Sequence, residues 1–334
     1  MRLIFELSGE DTKLAKAEVL SLFQDYKVLF DLGTILGLEV SMDLGEGGYR
    51  DPKVEDLRLL AMTHYVSEIL GESDDIKEDI IESAKKISIE KRPLSVRCRK
   101  VKESKLRSGE VERAVGEIFY QKGFKIDLRE PKIEIRIIIC GERAFIARKI
   151  CDCDKKFLRR NPMEMPFFYP GVLNPKLARV LVNLCGLEKG ERLLDPMCGS
   201  GGILIEGVSR GLEVFGVDAR ERMVKGAFEN LRSSAFKGYN FMVGDSRNLC
   251  FKDRSMDGIV VDMPYGQSSP IIGKSARELY YRSMEEIFRI FKKRCVVVAR
   301  EDLSEIAESI GFRSIERYEQ RVHRSLTRKI LVLS

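Results

Sequence analysis

Four carboxylates end four successive apolar runs in the C-terminal half of the chain. "RLLDPMC" carries Asp195, "EVFGVDA" Asp218, "NFMVGDS" Asp245 and "DGIVVDMP" Asp262. Runs of this kind read as strands buried on both faces. A lone charge is expensive there, so four acids at four strand ends point to one polar site. Asp262 leads into Met263, Pro264 and Tyr265. That order sets an acceptor beside a flat ring. An exocyclic amine on a purine is a weak nucleophile, because its lone pair is conjugated into the ring. The Asp262 carboxylate and the Met263 carbonyl, placed against its two hydrogens, would draw the nitrogen toward a tetrahedral shape. Tyr265 offers a surface on which a base can stack, worth about 1–3 kcal/mol.

The glycines after Asp195 suggest what the amine would meet. Gly199, Gly201 and Gly202 let a ligand approach the backbone where a helix opens. NAD and S-adenosylmethionine both use such a turn. Both also offer a ribose hydroxyl pair, which suits Asp218, 23 residues after Asp195. Asp195, at the mouth of the turn, would repel a pyrophosphate and attract a cationic, amine-bearing cofactor. This favours S-adenosylmethionine.

The elements that must position these residues follow from the pattern. From residue 176 onward strands and helices alternate, which implies an α/β, Rossmann-like domain with a parallel sheet covered on both faces. A long helix is expected near 276–293, and a closing strand pair near 312–322 and 326–333 gives an antiparallel edge. Ligands in such sheets bind at the carboxyl ends of the strands.

Upstream, "RLIFEL" and "KVLFDLGTILGLEV" read as strands around a helix at roughly 11–24. The spacing of Leu57, Leu60, Ala61, Ile76, Ile80, Ile81 and Ala84 predicts mostly helix over 53–90. A strand at 94–100, a helix near 109–122 and strands at 132–140 and 143–150 form an α+β unit. Prolines 162, 166, 170 and 175 mark a linker. The expected domains are an N-terminal part (1–52), an α+β domain (53–150), a linker (151–175) and the α/β domain (176–334).

Charge separates along the chain. Residues 39–90 hold 14 acids against 6 bases, 91–113 hold 9 bases against 3 acids, and 143–160 hold 7 bases against 2 acids. In "RPLSVRCRK" strand alternation puts Arg97 and Arg99 on one face and Val96 and Cys98 on the other. Two basic blocks beside an acidic one suggest a face for a polyanion. Phosphate contacts are expected from Arg97, Arg99, Lys100 and Lys102.

Eight cysteines are scattered without a C-x-x-C pair, and there are two histidines. No metal site is expected, and Cys151 and Cys153 read as reduced loop cysteines. No apolar run approaches the roughly 20 residues of a membrane span. The N-terminus lacks the pattern of a signal peptide. A cytoplasmic location is expected.

"DPMCGSGG" and "DMPYG" resemble the cofactor and catalytic motifs of amino-group methyltransferases, which carry [D/N/S]-P-P-[Y/F]. "RPLSVRCRKV", "GEVERAVGEIF" and "KIDLREPKIEIRIII" resemble a THUMP domain, an RNA-binding module. With "FFYPGVLNPKLARVLVNL" and "RVHRSLTRKILVL" they make the chain similar to archaeal tRNA guanosine-10 N2-methyltransferases over nearly its whole length. The resemblance implies a ferredoxin-like N-terminal part, tRNA as partner and mono- or dimethylation of guanosine N2. It implies cofactor contacts at Asp195, Cys198, Gly199, Gly201, Asp218, Ala219, Asp245 and Ser246, and catalysis by Asp262, Met263, Pro264 and Tyr265. Met263 departs from the pattern by replacing its first proline, at a loss of rigidity. Some relatives work with a small zinc-binding activator protein. Alternatives are N2-methylation of another tRNA guanosine such as position 6, adenine N6-methylation, or a tRNA-binding chaperone without activity.

Overall fold

The structure, a computed structural model, describes residues 1–40, 54–234, 236–265, 275–324 and 326–334. The expected boundary at 52/53 and Gly266 lie outside the described residues. The chain divides into two compact units. One holds Met1–Arg58 and Thr63–Cys153, the other Leu59–Met62 and Asp154–Ser334.

The first unit is built on one seven-stranded sheet in the order β2-β3-β1-β4-β7-β6-β5. Its strands are β1 (Arg2–Leu7), β2 (Tyr26–Asp31), β3 (Ile35–Val40), β4 (Thr63–Asp74), β5 (Leu94–Lys100), β6 (Ile133–Cys140) and β7 (Arg143–Asp152). Helices α1 (Thr12–Leu20), α2 (Val54–Arg58), α3 (Lys77–Lys86) and α4 (Ser108–Gln121) complete it. β5 and β6 run parallel across α4, and the other described pairs are antiparallel. Alternation in β6 sends Ile135, Ile137 and Ile139 under α3 and α4, against Ile80, Val115 and Phe119. Ile138 turns to the other face, beside Phe30 and Phe145, whose rings stack at 4.5 Å.

The expectation of helix through 53–90 is corrected at its centre. α2 and α3 are helical, but "THYVSEILGESD" is strand β4. It is flanked by β1 and β7, with nine register pairs to β7. Tertiary pairing on both edges decides its state, and its Thr, Tyr, Val and Ile suit a pleated surface. Cys151 also departs from its loop assignment. It lies in β7, and both it and Cys153 are buried. Burial pushes the Cys151 thiol up to about 11.

One buried charge cluster crosses this sheet. Glu6 is 0% exposed and receives Arg136 Nε at 2.6 Å and an Arg99 Nη at 2.7 Å. The Arg136 guanidinium lies 3.8 Å from the Tyr65 ring centre and also donates to Glu134 at 2.7 Å.

The second unit is a seven-stranded sheet in the order β10-β9-β8-β11-β12-β14-β13. After two short 3-10 turns come α5 (Pro175–Leu184), β8 (Arg192–Asp195), α6 (Gly202–Ser209), β9 (Glu213–Asp218) and α7 (Glu221–Ser233). Then follow β10 (Tyr239–Val243), β11 (Met256–Asp262), α8 (Ala276–Ile290), β12 (Phe291–Ala299), α9 (Ser304–Ile310), β13 (Ile315–His323) and β14 (Leu326–Leu333). Strands β8 to β12 are parallel. β14 inserts antiparallel between β12 and β13. Leu194, Val217 and Val261 face α8 and α9. Leu193 and Val214 face the other way, against α6. The long helix ends at Ile290 rather than 293, because Phe291 already enters the pairing of β12 with β11.

Removing Glu6 should test the first unit. Glu6→Ala leaves Arg136 with Glu134 alone and strands Arg99. Broken buried pairs typically cost about 3–5 kcal/mol, and the lower end is expected here because Glu134 remains. Urea denaturation should show the loss. Glu6→Leu with Arg136→Met, which removes the buried charges together, should recover most of it.

Candidate active site

The carboxyl ends of the parallel strands open into a cleft of about 430 Å³ in the second unit. Its walls include Asp195, Asp218, Asp245 and Asp262, so the four strand-end acids do share one site. Cys198, Gly199, Ala219, Ser246, Met263, Pro264 and Tyr265 line it as well.

The turn after β8 is shaped by glycine. Gly199 has φ +53° and Gly201 has φ +84°, left-handed values that a side chain would strain. Gly201 serves as the N-cap of α6 rather than as part of the cleft wall. The turn is pinned from two sides. The Cys198 N–H donates to the Val217 carbonyl at 2.8 Å, and the Gly199 N–H donates to Asp218 Oδ2 at 3.1 Å. The other Asp218 oxygen receives the Arg220 N–H at 3.0 Å.

Asp195 is 1% exposed and accepts from the Met197 N–H at 3.1 Å. Burial pushes its carboxyl well above the usual range, and the charges of Asp262 and Asp218 add to this. Asp262 is pushed up to about 6, again by burial, against the opposing effects of the Tyr265 hydroxyl and Arg328. Asp245 differs. It is held low by Arg247, which binds it through Nε at 3.0 Å and Nη2 at 2.6 Å. Ser246 Oγ meets Ser283 Oγ of α8 at 2.8 Å.

The loop after β11 is fixed through its backbone. The Met263 N–H donates to the Val298 carbonyl at 2.8 Å, and its side chain is buried in the core beneath α8. Proline has no N–H to make that bond. The rigidity lost with proline is therefore offset by a backbone hydrogen bond that proline could not make. The Pro264 carbonyl accepts from Tyr280 Oη at 2.6 Å. The Tyr265 hydroxyl donates to Asp262 Oδ1.

Several cleft residues escaped the sequence reading. Tyr169 to Leu173 form one wall. Their segment is latched by Asn230, which accepts from the Phe167 N–H at 2.9 Å and donates to the Phe167 carbonyl at 2.9 Å and the Ser200 carbonyl at 3.0 Å. Arg160 adds a second anchor, gripping buried Glu206 with two bonds of 2.7 Å. The proline spacing that marked this stretch as a linker hides its packing role. Arg220, Arg300 and Arg328 also line the cleft. Arg220 could have been found from its place two residues after Asp218. Arg328 could not, because it arrives from the last strand.

The expected phosphate contacts lie on β5 and just beyond it. Arg97, Lys100 and Lys102 are exposed. Arg99 is held by Glu6, so part of its charge is spoken for. Among the described residues no group of His, Cys, Asp and Glu is arranged to hold a metal ion, and no helix is long and apolar enough to cross a membrane.

A parallel sheet with this glycine turn and these acids belongs to the methyltransferase class. The RMKL-like methyltransferase domain matches residues 162–330, and the THUMP domain matches 72–148. The chain is 33% identical to the tRNA (guanine(10)-N2)-dimethyltransferase of Methanothermobacter thermautotrophicus, over 100% of this chain and 99% of the relative. It is 31% identical to the enzyme of that name from Pyrococcus abyssi, over 98% of each. The chain belongs to the tRNA (guanine(10)-N2)-dimethyltransferase family. The crystal structure of TrmN from Thermus thermophilus shares the fold, with a TM-score of 0.50 at 20% identity over 100% of this chain and 99% of that one.

The raised Asp262 has a consequence for stability. An acid whose folded pKa exceeds its unfolded value favours folding only while protonated. Its penalty is absent below the ordinary carboxyl range near 3.8, grows as pH rises, and is complete above about 6. Asp262→Asn should therefore raise the melting temperature at pH 7.5, by about 2–4 °C for each kcal/mol relieved, and leave it nearly unchanged near pH 4. Calorimetry at the two pH values checks this.

Proposed function

We propose that the chain transfers methyl groups from S-adenosylmethionine to the N2 amine of guanosine 10 in tRNA, once or twice. The observation that carries this reading is the meeting of Asp262, Met263 and Tyr265 with Asp195 and the Gly199 turn in one cleft. Full-length identity to relatives that bear this activity in their names supports the position and the product.

The donor set fits S-adenosylmethionine. Asp195 is a buried carboxylate with little to neutralise it, and the nearby charges of Asp218 and Asp262 make the cleft hostile to a pyrophosphate. A cationic ligand relieves that repulsion. Asp195 and the backbone around Gly199 would hold the amine-bearing end, and Asp218 the ribose hydroxyls. Ala219, Asp245 and Ser246 would flank the adenine. When bound, S-adenosylmethionine supplies an electrophilic methyl group on a sulfonium.

The chain's own residues prepare the nucleophile. The Asp262 carboxylate and the Met263 carbonyl accept the two N–H bonds of the guanine amine. This draws electron density onto nitrogen and turns its lone pair out of the ring plane. Asp262 is the acceptor for the proton released on methylation. The backbone ties of Met263 and Pro264 hold both acceptors still, so little reorganisation accompanies the reaction. Tyr265 supplies the ring against which the base rests. Arg97, Lys100 and Lys102 supply phosphate contacts that are blind to sequence.

The test is labelled methyl transfer to transcribed tRNA, followed by nucleoside mass spectrometry. N2-methylguanosine and N2,N2-dimethylguanosine at position 10 are expected. Label on adenine, or on guanosine 6, would contradict the reading. Asp262→Ala should lower single-turnover transfer by about 10²–10³, the usual effect of removing one preorganised partner. Neutralising Arg97, Lys100 and Lys102 should instead weaken tRNA binding and flatten its salt dependence by about 0.7–0.9 log units per lost contact. Cofactor affinity should not change in that variant.

A further inference from the structure

Arg328 of β14 is 8% exposed, yet it lines the cleft. Buried charges are ordinarily paired with a carboxylate. Among the described residues Arg328 makes no ion pair, and its hydrogen bonds go to two neutral oxygens. Nε donates to Tyr265 Oη at 3.3 Å, and Nη1 donates to Gln320 Oε1 at 3.2 Å. Tyr265 Oη in turn donates to Asp262 Oδ1. A guanidinium can only donate. The phenol oxygen must therefore accept from Arg328, which commits its single proton to Asp262.

We propose that Arg328 is a positioning residue for methyl transfer: it fixes the Tyr265 hydroxyl on Asp262 and so holds that carboxylate in the orientation that accepts from the target amine. This rests on the reading of Asp262 given above. The chain of donors joins elements far apart in sequence, since β14 brings Arg328 to the loop after β11 only by inserting beside β12. A purely structural arginine would gain more from a carboxylate of the core than from a phenol at a cleft wall. Here the cation is spent on a phenolic oxygen whose proton goes to Asp262.

The arrangement also sets the charge state of Asp262. From β8, Asp195 lines the same cleft, and the charge of Asp262 opposes the ionisation of Asp195. Tyr280 comes from α8, where it is buried and donates to the Pro264 carbonyl, and Arg300, after β12, lines the cleft. Arg328 is the cation that acts on Asp262 directly, lowering its pKa against the larger effect of burial. Without Arg328 the acid should hold its proton to higher pH, and transfer should suffer most in mildly acid solution.

The experiment is single-turnover methyl transfer to tRNA across pH for wild type, Arg328→Met, Arg328→Lys, Tyr265→Phe and the double variant Arg328→Met/Tyr265→Phe. Circular dichroism and S-adenosylhomocysteine affinity report folding. If Arg328→Met fails to fold, Arg328→Lys takes its place in the cycle. Arg328→Met should slow transfer about threefold near pH 6.5, the effect of a pKa raised by one unit from about 6, and about tenfold well below pH 6, with a smaller deficit near pH 8.5. Arg328→Lys should recover part of the rate. At pH 8.5, where Asp262 is ionised in every variant, the double variant should be no slower than Tyr265→Phe alone, because both changes cut one chain. Losses that multiply at pH 8.5, or a deficit equal at every pH, would overturn the role of Arg328 while wild type still methylates guanine. A wild type that places no methyl on guanine N2 would overturn the reading of the site itself.

Discussion

Three carboxylates crowd the ends of β8, β9 and β11, and most of the second unit can be understood as what makes that tolerable. Asp195 and Asp262 are both driven toward protonation by burial, and Asp195 also by its acidic neighbours. A fold does not gather acids in this way for its own stability. Asp218 is quieted by two backbone N–H groups, from Gly199 and Arg220. Asp262 is steadied by a hydroxyl with an arginine behind it. Asp195 has far less, and a cationic ligand answers that deficit. The glycine turn is held by the same acids, so ligand binding and loop geometry share one set of bonds.

The first unit handles charge differently. Its buried Glu6 gathers Arg136 and Arg99 into the sheet, which satisfies those cations internally. Arg97, Lys100 and Lys102 stay in solvent, where the proposed phosphate contacts would release counterions. Counting bases along the chain cannot separate these two uses, since Arg99 stands in the same basic block as Arg97, Lys100 and Lys102.

Much of the catalytic unit was legible because its signals are local. Continuous apolar runs ending in Asp gave the parallel strands, and the sheet rule then put those acids together. The "DMPY" order set the Asp262 carboxylate and Tyr265 in one cleft. What stayed hidden depends on contacts distant in sequence. β4 reads as helix by spacing and becomes strand because β1 and β7 pair with it. The linker reads as a spacer, yet Asn230 of α7 and the Arg160–Glu206 pair fasten it to α7 and α6. The Met263 N–H finds Val298, and Arg328 finds Tyr265, only after the sheet has formed.

The central claim is that this cleft acts on one exocyclic amine. Inosine differs from guanosine by lacking that amine. A tRNA carrying inosine at position 10 keeps the backbone and nearly all the shape that the protein meets. The direct measurement is labelled methyl incorporation into this tRNA beside the unmodified transcript, with binding affinity recorded for both. The account expects similar affinity and no incorporation into the inosine tRNA. Equal incorporation into both would show that the methyl goes elsewhere and that Asp262 does not present the guanine amine.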